Sequence, residues 1–130
     1  MKETDLLIIG AGPAGCSAAV YAARAGVKTM IAGGAMPGGQ LLQTNEIENY
    51  AGFVNPVSGF ELMDTMHKQC KRLGVQITTD VITKLEGTQP PFTLTAAGGE
   101  TYRAKAVLIA AGASARWLGV RGEEALKGHG

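Results

Sequence analysis

The chemistry available to this chain is concentrated at glycines rather than at acids or bases. Gly10-Ala11-Gly12-Pro13-Ala14-Gly15 follows the apolar run Leu6-Leu7-Ile8-Ile9 and precedes a small-residue stretch from Cys16 to Ala25. Strand, tight turn and helix, in that order, make the context in which a GxGxxG string holds a dinucleotide pyrophosphate. Gly10 lets the chain turn as it leaves the strand. Gly12 leaves room for a phosphate against the backbone, and Gly15 lets the helix pack close to the strand. The helix start then offers free N–H groups and the positive end of its dipole. Pro13 suits the first helical turn, where a missing N–H costs nothing. A second polar group lies between Ala35 and Asn55, where Gly38-Gly39 allows a close backbone approach. There Gln40, Gln43, Asn45 and Asn49 supply uncharged donors and acceptors. His67 and Cys70, three apart, have the spacing of a base and a thiol. Cys70 falls on an apolar stripe, and nothing near it in sequence would lower its pKa, so core packing is the better reading. Cys16, behind the glycine turn, reads as a packed small residue. With no CxxC and no Cys/His ligand spacing, no metal site is expected.

The elements that must position these groups follow in order. Asp5–Ile9 is the first strand, Pro13–Ala25 the first helix with Gly26 as its stop, and Val27–Ala32 the second strand. That βαβ order implies a right-handed crossover and a parallel pair. Where a dinucleotide fold often carries an acid, about 20 residues past the glycines, this chain has Gly33-Gly34, which weakens an ordinary NAD reading. Ser58–Leu73 reads as an amphipathic helix with Ser58 and Glu61 as a capping box. Its expected core stripe is Phe60, Met63, Met66, Cys70 and Leu73. Val75–Ile77 and Val81–Leu85 are strand-like, and Pro90-Pro91 breaks the chain. Phe92–Thr95 and Thr101–Ala104 flank Ala97-Gly98-Gly99 as a hairpin. Ala106–Ala110 reads as a fully buried parallel strand. It ends in Ala111-Gly112-Ala113, a second small-residue turn that could face the same ligand as Gly10–Gly15. Trp117 and Leu118 are expected to anchor the tail, and Arg121–Glu124 to turn into a short helix. The fold class is therefore α/β: a Rossmann-like parallel sheet with a β-hairpin meander.

Composition narrows the function classes. The 130 residues are 45% hydrophobic and 18% charged, with a net charge of +1. This is one globular domain with no electrostatic footprint for nucleic acid or a membrane surface. No apolar run is long enough to span a bilayer. Few cysteines and no evident signal peptide point to the cytoplasm.

With these pieces placed, the sequence resembles the low-molecular-weight thioredoxin reductases, among the flavoproteins with two dinucleotide-binding domains. GAGPAGCSAAVYAARAG, GGQLLQTNEIENYAGF, VLIAAGASAR and LGVRGEE carry the likeness, the second most specifically. The resemblance implies FAD bound in an extended form. Its pyrophosphate would lie at Gly10, Gly12, Pro13 and Ala14. The neighbouring loop would contribute Gly38, Gly39, Gln40, Leu41 and Asn49, the adenine would meet Val81, and the second turn would contribute Ala110, Ala111 and Gly112. None of these acts as a catalytic acid or base. Two positions depart from the family pattern: Ala111 stands where a Thr is usual, removing a hydroxyl contact, and Arg121 where a Pro is usual. The resemblance further implies residues 1–115 as the first segment of an FAD domain and 116–130 as the start of a linker toward an NADPH domain. A redox CxxC would follow, so the chain alone is expected to be inactive and to retain FAD weakly or not at all. NADPH would be the reductant and thioredoxin the partner, in a homodimer. A ferredoxin- or peroxide-linked flavin reductase, a non-enzymatic nucleotide-binding module and a single-domain dehydrogenase are the alternatives.

Overall fold

A computed structural model describes residues 1–128. Six strands form one sheet in the order β3-β2-β1-β6-β5-β4. They are β1 (Lys2–Ile9), β2 (Thr29–Ala32), β3 (Gln76–Thr78), β4 (Ile82–Glu86), β5 (Phe92–Ala96) and β6 (Thr101–Ile109). The helices are α1 (Pro13–Arg24), α2 (Gly59–Arg72) and α3 (Glu123–Leu126). β3, β2, β1 and β6 run parallel, and β5 and β4 continue from β6 antiparallel. The expected parallel sheet with a meander is thus present. The last two positions of the expected linker, 129 and 130, lie outside the described residues.

Successive residues of a strand face opposite sides, and β1 and β2 use that to build two cores. Ile8 and Ile31 face α1 and α2, where they pack with Cys16, Ala19, Met63 and Cys70. Leu7 and Met30 face the other side, against Leu94, Tyr102 and Ala104 of the meander. Leu7, Ile8 and Ile31 are completely buried; each such side chain stabilises the fold by about 1.5–3 kcal/mol. Tyr102, also fully buried, ties the meander across to β3. Its hydroxyl donates to the Asp80 carboxylate and lies 3.1 Å from Thr78 Oγ1. That phenol holds Asp80 below its ordinary carboxylate range. Burial, then the neighbouring carboxylate, pushes the Tyr102 phenol up.

The capping box of α2 forms as expected: Glu61 N donates to Ser58 Oγ at 3.1 Å, and Ser58 N donates to the Glu61 carboxylate at 3.4 Å. Four expectations need correction. The buried stripe of α2 is Leu62, Met63, Met66 and Cys70, whereas Phe60 is 68% exposed. Phe60 lies two residues, about 200° of helical rotation, from Leu62. Residues 101–104 and 106–109 belong to one strand, β6, because β1 pairs along its whole length. Its second half is not fully buried, and Ile109 is 72% exposed. β5 pairs only with residues 101–104 of β6, so beyond them β6 has β1 alone as a neighbour among the described residues. Trp117 and Leu118 anchor nothing in the core. Both are exposed; Lys127 sits over the Trp117 ring, and the Glu123 carboxylate accepts from Leu118 N and Gly119 N.

Candidate functional site

At the C-terminal ends of the parallel strands lies a cleft of about 660 Å³, within the range of small-molecule sites. This is the end of an open α/β sheet where ligands bind. Each of its walls follows from local sequence. The turn after β1 supplies Gly10, Gly12, Pro13 and Ala14; the turn after β6 supplies Ala110, Ala111 and Gly112; and the 3-10 turn Gly39–Gln43 supplies Gly39, Gln40 and Leu41. Because β1 and β6 are parallel neighbours, their two turns emerge side by side, as the sequence suggests. They touch so closely that a Cβ on Gly10 would lie 2.1 Å from the Ala110 carbonyl oxygen. Gly10 also has φ +112°, in the region that favours glycine.

The other two glycines of the turn have separate duties. A Cβ on Gly15 would lie 1.9 Å from the Gly10 carbonyl oxygen and 3.3 Å from Ile8 Cγ2. Gly15 therefore lets α1 sit down on the turn. A Cβ on Gly12 would meet no atom within 4 Å, and its φ is −77°. Nothing in the protein itself requires glycine there; the space in front of it opens into the cleft. Gly12 is also the N-cap of α1, with no side-chain cap and no acid in the first turn. The first N–H groups of a helix lack intrahelical partners, and here no side chain from the cap takes them up.

Of the thirteen residues singled out for a cofactor, ten line this cleft. Gly38, Asn49 and Val81 lie off its wall. Gly38 has φ +131° and packs its backbone against the Leu42 side chain, so it shapes the 3-10 turn. Asn49 is exposed in the loop before α2. Val81 is half-exposed at the entry to β4, and its carbonyl accepts from Ala97 N at 2.8 Å. It directly follows Asp80, whose carbonyl accepts from Gly34 N at 3.1 Å at the cleft rim. Gln40 bridges two walls, donating to the Ala113 carbonyl.

Gly33, Gly34, Ala35, Met36 and Thr44 also line the cleft, outside the residues singled out for a cofactor. Gly33 and Gly34 stood out only for lacking an acid. Yet a Cβ on Gly33 would lie 2.9 Å from the Thr78 carbonyl oxygen and 3.0 Å from Ala11 Cβ. Smallness there lets β2, β3 and the glycine turn converge.

His67 does not pair with Cys70. Its Nε2 lies 2.8 Å from the Ala11 carbonyl oxygen. Cys70 is buried, with its thiol 3.6 Å from the Cys16 carbonyl oxygen, and Cys16 donates to the Ala11 carbonyl at 3.5 Å. The adjacent Cys70 sulfur, then burial, pushes the Cys16 thiol well up. Neither cysteine reaches the cleft.

A second cleft, about 560 Å³, lies near the start of β1 and is lined by Glu3, Asp5, Lys28, Arg103 and Lys105 among others. Four of these charges pair: Lys105 with Asp5 at 2.7 Å and Arg103 with Glu3 at 3.8 Å. The Lys105 ammonium holds Asp5 below its ordinary range. Both acids of this wall are already taken up by its cations, and it has no free helix start, so the glycine cleft is the better candidate for a dinucleotide. Among the described residues no group of three or more His, Cys, Asp or Glu could hold a metal, and no helix is long and apolar enough to cross a membrane.

Residues 4–130 match the family profile described as pyridine nucleotide-disulphide oxidoreductase. The chain is similar to a thioredoxin reductase of Rickettsia conorii, 43% identical over 127 residues, covering 98% of this chain and 41% of that protein. It is 46% identical over 129 residues to a thioredoxin reductase of Escherichia coli O157:H7, covering 99% of this chain and 40% of the relative. The crystal structure of a thioredoxin reductase from Streptococcus pyogenes superposes with TM-score 0.85 at 40% identity, covering 95% of this chain and 40% of that one. The chain thus spans about two fifths of the length of the relatives it matches.

Proposed function

This chain belongs to the pyridine nucleotide-disulphide oxidoreductase family, and from that premise we propose that it is the FAD-binding part of a thioredoxin reductase. The observation that carries the reading is Gly12. It lacks a side chain where the protein has space for one, at an uncapped helix start facing the cleft. A pyrophosphate fits that cradle: it would take the free N–H groups of the first turn and the positive dipole end. The glycines at Gly33 and Gly34, in place of an acid, favour FAD over a simple NAD site.

Gly12, Pro13 and Ala14 would hold the pyrophosphate. Gly39, Gln40 and Leu41, with Gly38 and Asn49 from the same loop, would border the flavin side. Val81, beside the Gly34 rim, would meet the adenine. Ala110, Ala111 and Gly112 would close the cradle from β6. The chemistry that FAD supplies is two-electron transfer, from NADPH to a cysteine pair and on to thioredoxin in the whole enzyme. This chain's residues bind and orient; Cys16 and Cys70, buried on α1 and α2, are not that pair. Residues 1–115 would be the first segment of the FAD domain. From 116 the chain would be a linker toward an NADPH domain, which suits the absence of helix or strand between Ala110 and Val120. The whole enzyme would be a homodimer, and two free buried thiols suit a reducing compartment such as the cytoplasm.

Titration of the chain with FAD, followed by quenching of flavin fluorescence, tests the reading. Saturable quenching that ADP reverses is the expected result. No quenching, or quenching indifferent to ADP, would count against it.

A further inference from the structure

The contact between His67 and Ala11 carries a role that the thiol-pair reading of His67 had no place for. The geometry points to His67 as a positioning residue for the phosphate cradle: it locks the Ala11–Gly12 peptide so that its N–H, and not its carbonyl, faces the cleft. This inference rests on the proposed dinucleotide site.

In a planar trans peptide the C=O and the following N–H point in opposite directions. The Ala11 carbonyl is held on the α2 side by His67 Nε2 at 2.8 Å and by the Cys16 thiol at 3.5 Å. The Gly12 N–H of the same peptide must then point away from α2, and Gly12 lines the cleft. Such a lock is needed because the unit turns about Ala11 ψ and Gly12 φ, and the glycine side of it resists peptide rotation less than any other residue would. A flipped peptide would aim carbonyl oxygen at a phosphate and remove a donor. The lever itself is stiff. Met63, Met66 and Cys70 anchor α2 in the core, and the capping box fixes its start. Ala11 is buried, so water cannot readily replace the imidazole.

The test compares His67→Leu, which keeps bulk without a donor, with His67→Gln, which keeps an N–H of similar reach. FAD and ADP affinities are measured for both alongside thermal unfolding. His67→Leu is expected to weaken both ligands about tenfold, the loss of one charge-assisted hydrogen bond, with His67→Gln within about threefold of the parent. A His67→Leu chain that melts earlier but binds FAD and ADP like the parent has lost only structural support, and the positioning role falls. Amide exchange of Gly12 in the ligand-free chain separates this from failure of the site itself. If the parent binds neither ligand, the dinucleotide reading fails, while slower Gly12 exchange in His67→Leu, from an N–H turned in from the cleft, would still show the lock. If His67→Leu does not fold, the parent decides: FAD must slow exchange of the His67 Nε2 proton, and unchanged exchange overturns the inference.

Discussion

Gly12→Ala and Gly15→Ala add the same methyl group three residues apart, and the structure assigns them opposite consequences. At Gly15 the methyl would lie 1.9 Å from the Gly10 carbonyl oxygen, a backbone atom that cannot rotate aside. Overpacking of this kind costs about 3 kcal/mol, and replacing a helical glycine recovers about 1 kcal/mol. The net loss is about 2 kcal/mol, or roughly 8 °C in Tm for a domain of this size. At Gly12 the methyl meets nothing within 4 Å, and φ −77° is open to alanine. A weaker N-cap and a stiffer unfolded chain offset each other to within about 1 kcal/mol. The same methyl stands where the pyrophosphate would lie, so FAD affinity is expected to fall about 10- to 100-fold. Thermal unfolding by far-ultraviolet circular dichroism and FAD titration, on both variants, read the two effects separately. Equal melting losses for the two variants would refute the division of labour, as would a Gly12→Ala chain that binds FAD like the parent.

Tyr102→Phe removes the donor to Asp80 and is expected to cost about 1–3 kcal/mol at neutral pH. Because Asp80 is held below its ordinary range, that stabilisation is complete above the carboxylate range and drains as acid titrates the group. Chemical denaturation over a pH series should therefore show the gap between parent and variant narrow in acid; a gap independent of pH counts against the ion–phenol contact. Leu62→Ala should destabilise by about 2–5 kcal/mol, whereas Phe60→Ser should stay within about 0.5 kcal/mol, both by urea titration; comparable losses would restore Phe60 to the core. Ser58→Ala removes one half of the capping box and should cost about 1 kcal/mol, seen as a lower Tm with unchanged FAD affinity.

The parts of the fold that could be read from the chain are those written in local pattern. Leu6–Ile9, the glycine turn and the alanine-rich helix form a βαβ start whose hand and pairing follow from general rules. Ser58 and Glu61 spell their cap directly. What stayed hidden depended on distant partners. Nothing near Lys105 says that residues 101–109 form one strand; β1, a hundred residues earlier, decides it. Nothing near Ile109 says that β5 stops pairing short of it. Phe60 carries a core residue's chemistry at an angle that only the packed helix reveals. The cleft was legible as glycines, but Gly33 is understood only once Thr78 and Ala11 are seen against it. His67 has no local signal at all, since its partner is a backbone carbonyl 56 residues away.

The claim that the glycine cleft takes the FAD pyrophosphate is tested most directly by mapping amide chemical-shift changes in isotope-labelled chain as FAD is added. Gly12, Ala14, Gly39, Gln40 and Gly112 are expected to move together and saturate together, while Glu3, Lys28 and Arg103 around the second cleft stay still. Changes centred on Glu3 and Arg103, or none at saturating FAD, would contradict it.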